Sequence, residues 1–156
     1  MAFQNATTLN KYVKLDKMER PITVTALVDA PMERVWNCWV LPEHITQWNQ
    51  ASADWHSPAA ENDLRVGGQF CFRMEAKDGS MGFDFRGTYV EVIPQERIIY
   101  TIEDGRKVDI RFTQEGDNVR VVEIFEAENE NAPELQQAGW QAILDHFARY
   151  TVALEP

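Results

Sequence analysis

The sequence has 156 residues, of which 44% are hydrophobic and 11% are aromatic, values typical of one globular domain with a sizeable core. Its formal net charge of −10 argues against a surface for nucleic acids or anionic membranes, because their phosphate groups would be repelled. The basic residues form one local group, between Lys11 and Arg20, and Asp16 and Glu19 interrupt it. We therefore predict no nucleic-acid partner and no insertion into a membrane.

The two cysteines, Cys38 and Cys71, form neither a disulfide framework nor a Cys-x-x-Cys pair. The sequence contains no apolar signal segment and no apolar stretch long enough to span a bilayer. Together these features predict a cytoplasmic protein whose thiols are reduced.

The beginning of the sequence is polar and shows no hydrophobic periodicity. This pattern predicts a flexible leader at 1–19, followed by a single domain at 20–156. Met18 comes shortly before the first predicted strand, so whether residues 1–17 belong to the natural protein stays open.

The domain begins with a strand and two short helices. Alternating apolar side chains at 21–28 predict the strand. Asp29 is then expected to cap a helix that has Pro31 in its first turn and ends before Pro42. A second short helix is predicted from Pro42 to Trp48.

A meander of about six further strands is predicted after these helices, because apolar and polar residues alternate between turn signals. It begins with a short strand at 55–58 and a loop at 61–66, and Asp78-Gly79 marks a hairpin turn. Gly87 interrupts one of the longer strands. An isolated glycine in a strand often marks a bulge or a close approach, and it would allow the sheet to bend.

The last predicted element is a long helix at 133–154, whose start is indicated by the spacing of Asn131 and Glu134. Its apolar residues recur at helical spacing and form one stripe: Trp140, Ile143, Leu144, Phe147, Tyr150, Thr151 and Leu154. This one helix must cover much of the sheet, and bulky residues that do not interlock would leave a cavity between the two. The order of the elements predicts an α+β arrangement.

Several short motifs follow one another along residues 21–153. They are Val28-Asp29-Ala30-Pro31 with Val35-Trp36, Asp63-Leu64-Arg65-Val66-Gly67-Gly68-Gln69-Phe70, Asp78-Gly79-Ser80, Gly87-Thr88-Tyr89, and Gly139-Trp140 with Ile143-Leu144. In these motifs the sequence resembles the START-like helix-grip (SRPBCC) superfamily, and within it the bacterial branch related to the C-terminal domain of the activator of heat-shock protein 90 ATPase.

The resemblance implies a curved antiparallel sheet of about six or seven strands, wrapped around a long C-terminal helix with a cavity between them. It implies much less about chemistry. This fold hosts lipid carriers, hormone receptors, polyketide cyclases and co-chaperone domains.

Residues typical of catalytic or metal centres are scarce. The histidines share no metal-ligand spacing: His44, His56 and His146. No serine lies in the context of a nucleophile elbow. We therefore predict no catalytic residue, no metal site and no cofactor.

Glu123 is a polar residue in the apolar phase of its strand, where it alternates with Val121 and Phe125. If that phase faces inward, the carboxylate points into the cavity, and desolvation raises its pKa unless it is paired. Alternatively, Val122 and Ile124 define the inner face, or a bulge turns Glu123 outward. Three arginines on neighbouring strands are candidate partners, although their phases favour the outer face: Arg73, Arg86 and Arg111.

Most aromatic residues of the strands and of the last helix fall on the apolar phase of their elements. They form either an ordinary core or the wall of a small-molecule site, since such sites are apolar with a few polar groups. The candidate ligand-binding residues are Trp48, Trp55, Phe70, Phe72, Phe83, Phe85, Tyr100, Phe112, Glu123, Trp140, Leu144 and Phe147.

Three functions are compatible with these features. We favour a binding or carrier protein for a small hydrophobic or aromatic molecule, such as a lipid, a polyketide or a flavonoid-like compound. The first alternative is a stress-related module that binds a chaperone or another protein. The second is a cyclase or aromatase with Glu123 or Tyr100 as acid or base, which the scarcity of inward polar residues disfavours.

Overall fold

A computed structural model of the chain describes residues 17–154. The predicted leader at 1–19 therefore lies outside the described residues except for its last three. The elements, in chain order, are β1 (Pro21–Val28), α1 (Met32–Val40), α2 (Pro42–Trp48), β2 (Trp55–His56), β3 (Ala60–Asn62), β4 (Gln69–Ala76), β5 (Gly82–Ile93), β6 (Arg97–Ile102), β7 (Lys107–Glu115), β8 (Asn118–Glu126) and α3 (Pro133–Ala153).

The strands form one curled antiparallel sheet in the order β1-β8-β7-β6-β5-β4-β2, and the short strand β3 also pairs with β4. Consecutive strands from β4 to β8 are neighbours, as in a meander, whereas β1 lies beside the last strand. The long helix α3 packs against this sheet, and the buried core lies between them. The predicted α+β helix-grip fold is confirmed.

Helix α3 follows the predicted stripe. Leu144, Phe147 and Thr151 are completely buried, and Trp140 and Ile143 are half-buried against the core. The stripe faces the sheet because residues three and four apart lie on the same side of a helix. Burial of this one face fixes the rotation of α3 about its axis.

Two glutamines of α3 attach the helix to β1, which is an edge strand of the sheet. The side-chain amide of Gln141 donates to the backbone oxygen of Thr25 at 2.9 Å, and its oxygen accepts from the backbone N–H of Thr25 at 3.3 Å. Gln137 donates to the backbone oxygen of Thr23 at 3.2 Å. The helix therefore satisfies backbone groups of β1 that point away from β8.

The predicted loop at 61–66 is partly wrong, because its first two residues belong to β3. This strand pairs Ala60–Asn62 with residues 70–72 of β4. The pairing depends on contacts far apart in the sequence, and the three residues of β3 are too few to show an alternating pattern.

The two predicted helix caps are wrong. Pro31 and Ala132 occupy the N-cap positions of α1 and α3, and neither makes a side-chain cap hydrogen bond. Asp29 lies too far from the first helical residue to act as a cap. Before α3, Glu128 accepts hydrogen bonds from the backbone N–H groups of residues 130 and 131, so a loop carboxylate orders the approach to the helix.

The outer face of the sheet carries ion pairs. Arg73 and Arg86 both bind Asp84, at 3.4 and 3.0 Å. Arg97 and Arg111 bind Asp109 at 2.8 and 2.9 Å; although burial of Asp109 opposes its ionisation, the hydrogen bonds from these arginines lower its pKa. The outward phase expected for Arg73, Arg86 and Arg111 is therefore correct.

Gly87 marks a close approach within the sheet. A Cβ atom there would lie 2.4 Å from the ring of Phe70 on β4 and 2.8 Å from the backbone oxygen of Thr101 on β6. The register shift of β5 lies further along, between Tyr89 and Glu91. The glycine thus provides space for an aromatic ring, and the irregularity of the strand follows it.

Gly87→Ala should destabilise the protein by about 1–3 kcal/mol, because the buried Phe70 ring and a backbone oxygen must both move. Gly139→Ala is a matched control, since no atom of the described residues lies within 4 Å of a Cβ atom there. In the interior of α3, alanine should stabilise by up to about 1 kcal/mol. Denaturant unfolding measures both free energies, and an unchanged midpoint for Gly87→Ala would contradict the steric argument.

Candidate functional site

A cavity of about 190 Å³ lies between the sheet and the helices. Its wall takes residues from α1, α2, α3 and the five strands β4 to β8. The lining residues are Trp39, Trp48, Asn49, Phe70, Phe72, Met74, Phe83, Phe85, Tyr89, Ile98, Tyr100, Ile110, Glu123, Trp140 and Ile143. A dry cavity of about 150 Å³ in another protein binds benzene, so this one has room for an aromatic ring.

One group of aromatic rings fixes the helices at the cavity. Trp39 of α1 stacks on Trp48 of α2 with ring centroids 5.1 Å apart, and Phe147 of α3 meets both rings edge-on at 4.8 and 5.0 Å. The indole N–H of Trp48 donates to the backbone oxygen of Cys38 at 2.8 Å. Because each of the three helices contributes a ring, the wall residues Trp39 and Trp48 have defined positions.

A second group of rings lies on the concave face of the sheet. Phe70 contacts Phe72, Phe85, Tyr89 and Tyr100, with ring centroids between 4.7 and 5.7 Å apart. Side chains two residues apart on one strand share a face, and neighbouring strands add their own. The result is a continuous aromatic surface across β4, β5 and β6.

Trp140 connects α3 to the sheet at one side of the cavity. Its indole stacks on Phe125 of β8 with centroids 3.9 Å apart and an interplanar angle of 11°, and it meets Phe85 edge-on at 6.3 Å. The indole is only half-buried and lines the cavity.

The structure brings eight of the twelve candidate ligand-binding residues to the cavity wall: Trp48, Phe70, Phe72, Phe83, Phe85, Tyr100, Glu123 and Trp140. Phe112, Leu144 and Phe147 belong to the buried core outside the wall. Trp55 lies in β2 with its ring centroid 6.1 Å from that of Phe83, and it does not line the cavity.

Seven lining residues were missed by the sequence reasoning: Trp39, Asn49, Met74, Tyr89, Ile98, Ile110 and Ile143. Five of them, on β4 to β7 and on α3, are apolar or aromatic residues on faces that also carry predicted ones, so the same periodicity could have indicated them. Trp39 lies on α1, where no site residue was predicted. Asn49 follows the end of α2, and no pattern in the sequence marks it.

Glu123 lies on the inner face of β8, and the alternative phase with Val122 and Ile124 inward is wrong. Glu123 is opposite Val24 of β1 and Ile110 of β7 in the sheet, and it is only 5% exposed. Its carboxyl group makes no hydrogen bond or ion pair with the described residues. Burial raises its pKa to about 8, so the group is mainly protonated at neutral pH.

The two tyrosines of the wall differ in their partners. The Tyr89 hydroxyl donates a hydrogen bond to the side-chain oxygen of Asn62 at 2.5 Å. The side-chain amide of Asn62 donates in turn to the backbone oxygen of Val40 at 2.7 Å. Tyr100 is buried, and among the described residues its hydroxyl has no hydrogen-bond partner. Burial, and then the nearby Glu123, raise the pKa of Tyr100 well above its usual value.

Residues 29–151 match the family described as Activator of Hsp90 ATPase homolog 1-like protein. The chain belongs to this family. The resemblance to the SRPBCC superfamily, which the sequence motifs indicated, is therefore confirmed. A search of the curated proteins returned no match.

Solved structures support the same assignment. An AHSA1-like protein from Aeromonas hydrophila is 47% identical, with a TM-score of 0.81 over 85% of this chain and 92% of its own. A protein from Cytophaga hutchinsonii is 55% identical, with a TM-score of 0.74 over 83% and 90% of the two chains. One from Chromobacterium violaceum, at 24% identity and a TM-score of 0.75 over 86% and 99%, shares the fold.

Within residues 17–154, no helix is long and apolar enough to cross a membrane. The same residues contain no group of three or more His, Cys, Asp or Glu side chains that could hold a metal ion.

Trp140→Ala should cost less stability than Phe147→Ala. Phe147 is completely buried, and truncation of such a residue costs about 3–5 kcal/mol. Trp140 borders existing space, so its loss should cost less than about 3 kcal/mol. Chemical denaturation compares the two variants, and an equal loss would indicate that Trp140 is ordinary core.

Stability should depend on pH through Glu123. The folded protein keeps this proton up to about pH 8, whereas the unfolded chain releases it near pH 4.5. The stabilising contribution of the protonated group is therefore complete below pH 4.5 and is lost as the pH rises to about 8. Glu123→Gln removes the titration, so the wild type should lose about 1.4 kcal/mol per pH unit relative to this variant. A constant difference between pH 5 and 8 would contradict the raised pKa.

Proposed function

We propose that this protein binds and carries a small, largely apolar aromatic molecule in the cavity between the sheet and α3, without changing it chemically. The observation that carries the proposal is the cavity itself, whose wall is mainly aromatic. Open space beside a core reduces stability, because the residues that line it lose packing contacts. Retention of such a space is more readily explained by an occupant than by stability.

The size of the cavity supports a ligand of one or two rings. A lipid or a flavonoid-like compound would need more space than about 190 Å³, so part of such a molecule would have to extend outside. Phe83 is a wall residue that is 48% exposed. We therefore place the mouth of the cavity at the β4–β5 hairpin.

The polar content of the wall favours binding over cyclase chemistry. Of the described residues that line the cavity, only Glu123, Tyr89 and Tyr100 are titratable, and both phenols have raised pKa values because of burial. A group that must exchange protons during catalysis needs a pKa near the working pH. The tyrosines do not meet this requirement, and none of the described residues is hydrogen-bonded to Glu123 in a way that could relay its proton.

The family membership keeps a stress-related interaction with a chaperone or another protein as the alternative function. That interaction would use the outer surface and would be insensitive to the size of the cavity. We assign the carrier role to the cytoplasm, on the basis of the two free cysteines.

Filling the cavity should weaken ligand binding. Ile143 lines the cavity from α3, so Ile143→Phe should weaken binding of indane, a two-ring hydrocarbon, by at least tenfold. Val152→Phe makes the same type of change at an exposed position of the same helix and should bind as the wild type does. Tryptophan fluorescence titration measures the three affinities.

Two results would contradict this proposal. One is the absence of saturable indane binding by the wild type. The other is equal affinity of the two phenylalanine variants, provided that their unfolding midpoints show both to be folded.

A further inference from the structure

The cavity wall contains a carboxyl group with no hydrogen-bond or ion-pair partner among residues 17–154. Glu123 is only 5% exposed and lines the cavity. It makes no hydrogen bond or ion pair with the described residues. A buried polar group without a hydrogen bond costs free energy, so such groups are rare in folded proteins. A ligand that supplies the missing hydrogen bond would remove that cost.

We propose that the cavity selects uncharged aromatic molecules that carry a carbonyl oxygen, and that the Glu123 carboxyl group donates a hydrogen bond to this oxygen. The proposal rests on the proposed carrier function and specifies its ligand class. Its chemistry comes from the Glu123 carboxyl group, which lies in a mainly apolar wall.

The surroundings of Glu123 keep it uncharged. The adjacent strands place Val24 and Ile110 beside it, and α3 contributes Trp140 and Ile143 to the wall. The wall residues of α1, α2 and β4 carry no titratable side chain: Trp39, Trp48, Phe70, Phe72 and Met74. On β5 and β6 the titratable groups are the phenols of Tyr89 and Tyr100, which remain protonated.

Anionic ligands are disfavoured by the same wall. Among the described residues, no lysine, arginine or histidine lines it. A carboxylate or phosphate would therefore enter a site of low dielectric constant without a counter-charge, which is costly.

Cationic amines are also disfavoured, although aromatic rings attract cations. An ammonium group would pair with Glu123 only after the carboxyl group had lost its proton, and both charges would lose their hydration. That desolvation often exceeds the Coulomb gain of a buried pair. A neutral carbonyl needs no change in ionisation.

Three ligands of one ring system test this ligand class: indane, 1-indanone and 1-aminoindane. They differ at one position, so their shapes are closely matched. The quantity compared is the ratio of the affinities for 1-indanone and indane. At pH 6.5 this ratio should be about tenfold larger for the wild type than for Glu123→Leu, because one hydrogen bond is worth up to about 1.5 kcal/mol. Isothermal titration calorimetry measures the affinities.

The dependence on pH separates Glu123 from the rest of the wall. The preference of the wild type for 1-indanone over indane should decline between pH 7 and 9.5, as the donor loses its proton. Glu123→Gln keeps an N–H donor that does not titrate, so its preference should stay constant. Tyr100→Phe should keep the decline of the wild type, because the donor is not the phenol.

The outcomes distinguish the two proposals. Binding of all three ligands with a 1-indanone preference that Glu123→Leu retains, or that does not change with pH, overturns the role of Glu123 and leaves the carrier function standing. Tightest binding of 1-aminoindane overturns the carbonyl class in favour of a cation site. Failure of the folded wild type to bind any of the three contradicts both proposals. If Glu123→Leu does not fold, the comparison of Glu123→Gln with the wild type across the pH range still decides the result.

Discussion

The packing of one helix on a curled sheet is the constraint on which the rest of the structure depends. Helix α3 is fixed by rings seven residues apart, about 10 Å along the axis: Trp140 stacks on Phe125 of the sheet, and Phe147 meets the indoles of α1 and α2. These are large, rigid side chains whose contacts have defined geometry. These contacts hold the helix over the concave face at Trp140 and at Phe147, so the helix cannot move onto the sheet between these two residues. Ile143, which lies between them, therefore faces a cavity instead of a strand.

Much of this arrangement was predictable from the sequence, because helical and strand periodicities determine which side chains share a face. The stripe of α3 and the inward aromatics of β4 and β5 are of this kind. Whether an inward residue meets empty space or another side chain depends on tertiary distances, which is why Phe112 and Leu144 were expected at the site and lie in the core. Asn49 reaches the wall from the end of a helix, where no periodicity applies. The sequence did not determine whether Glu123 faces inward, because charged residues are usually found on the solvent face of a strand.

The inward position of Glu123 is informative. A carboxyl group at an inward position of a central strand destabilises the fold over the pH range in which proteins normally work, and an apolar residue of similar size would not. Residues that reduce stability in this way are typical of sites where function sets the choice. The carboxylates of the outer face, by contrast, have charged partners: Asp109, for example, binds both Arg97 and Arg111.

The glutamine contacts of α3 have a consequence for the behaviour of the protein in concentrated solution. Strand β1 ends the sheet, and an edge strand offers unpaired backbone groups to any other chain that presents a strand of its own. The amides of Gln137 and Gln141 occupy such groups of Thr23 and Thr25. The same helix that forms the roof of the cavity therefore protects the sheet from edge-to-edge aggregation, and local detachment of α3 would expose an aggregation-prone strand together with the apolar cavity.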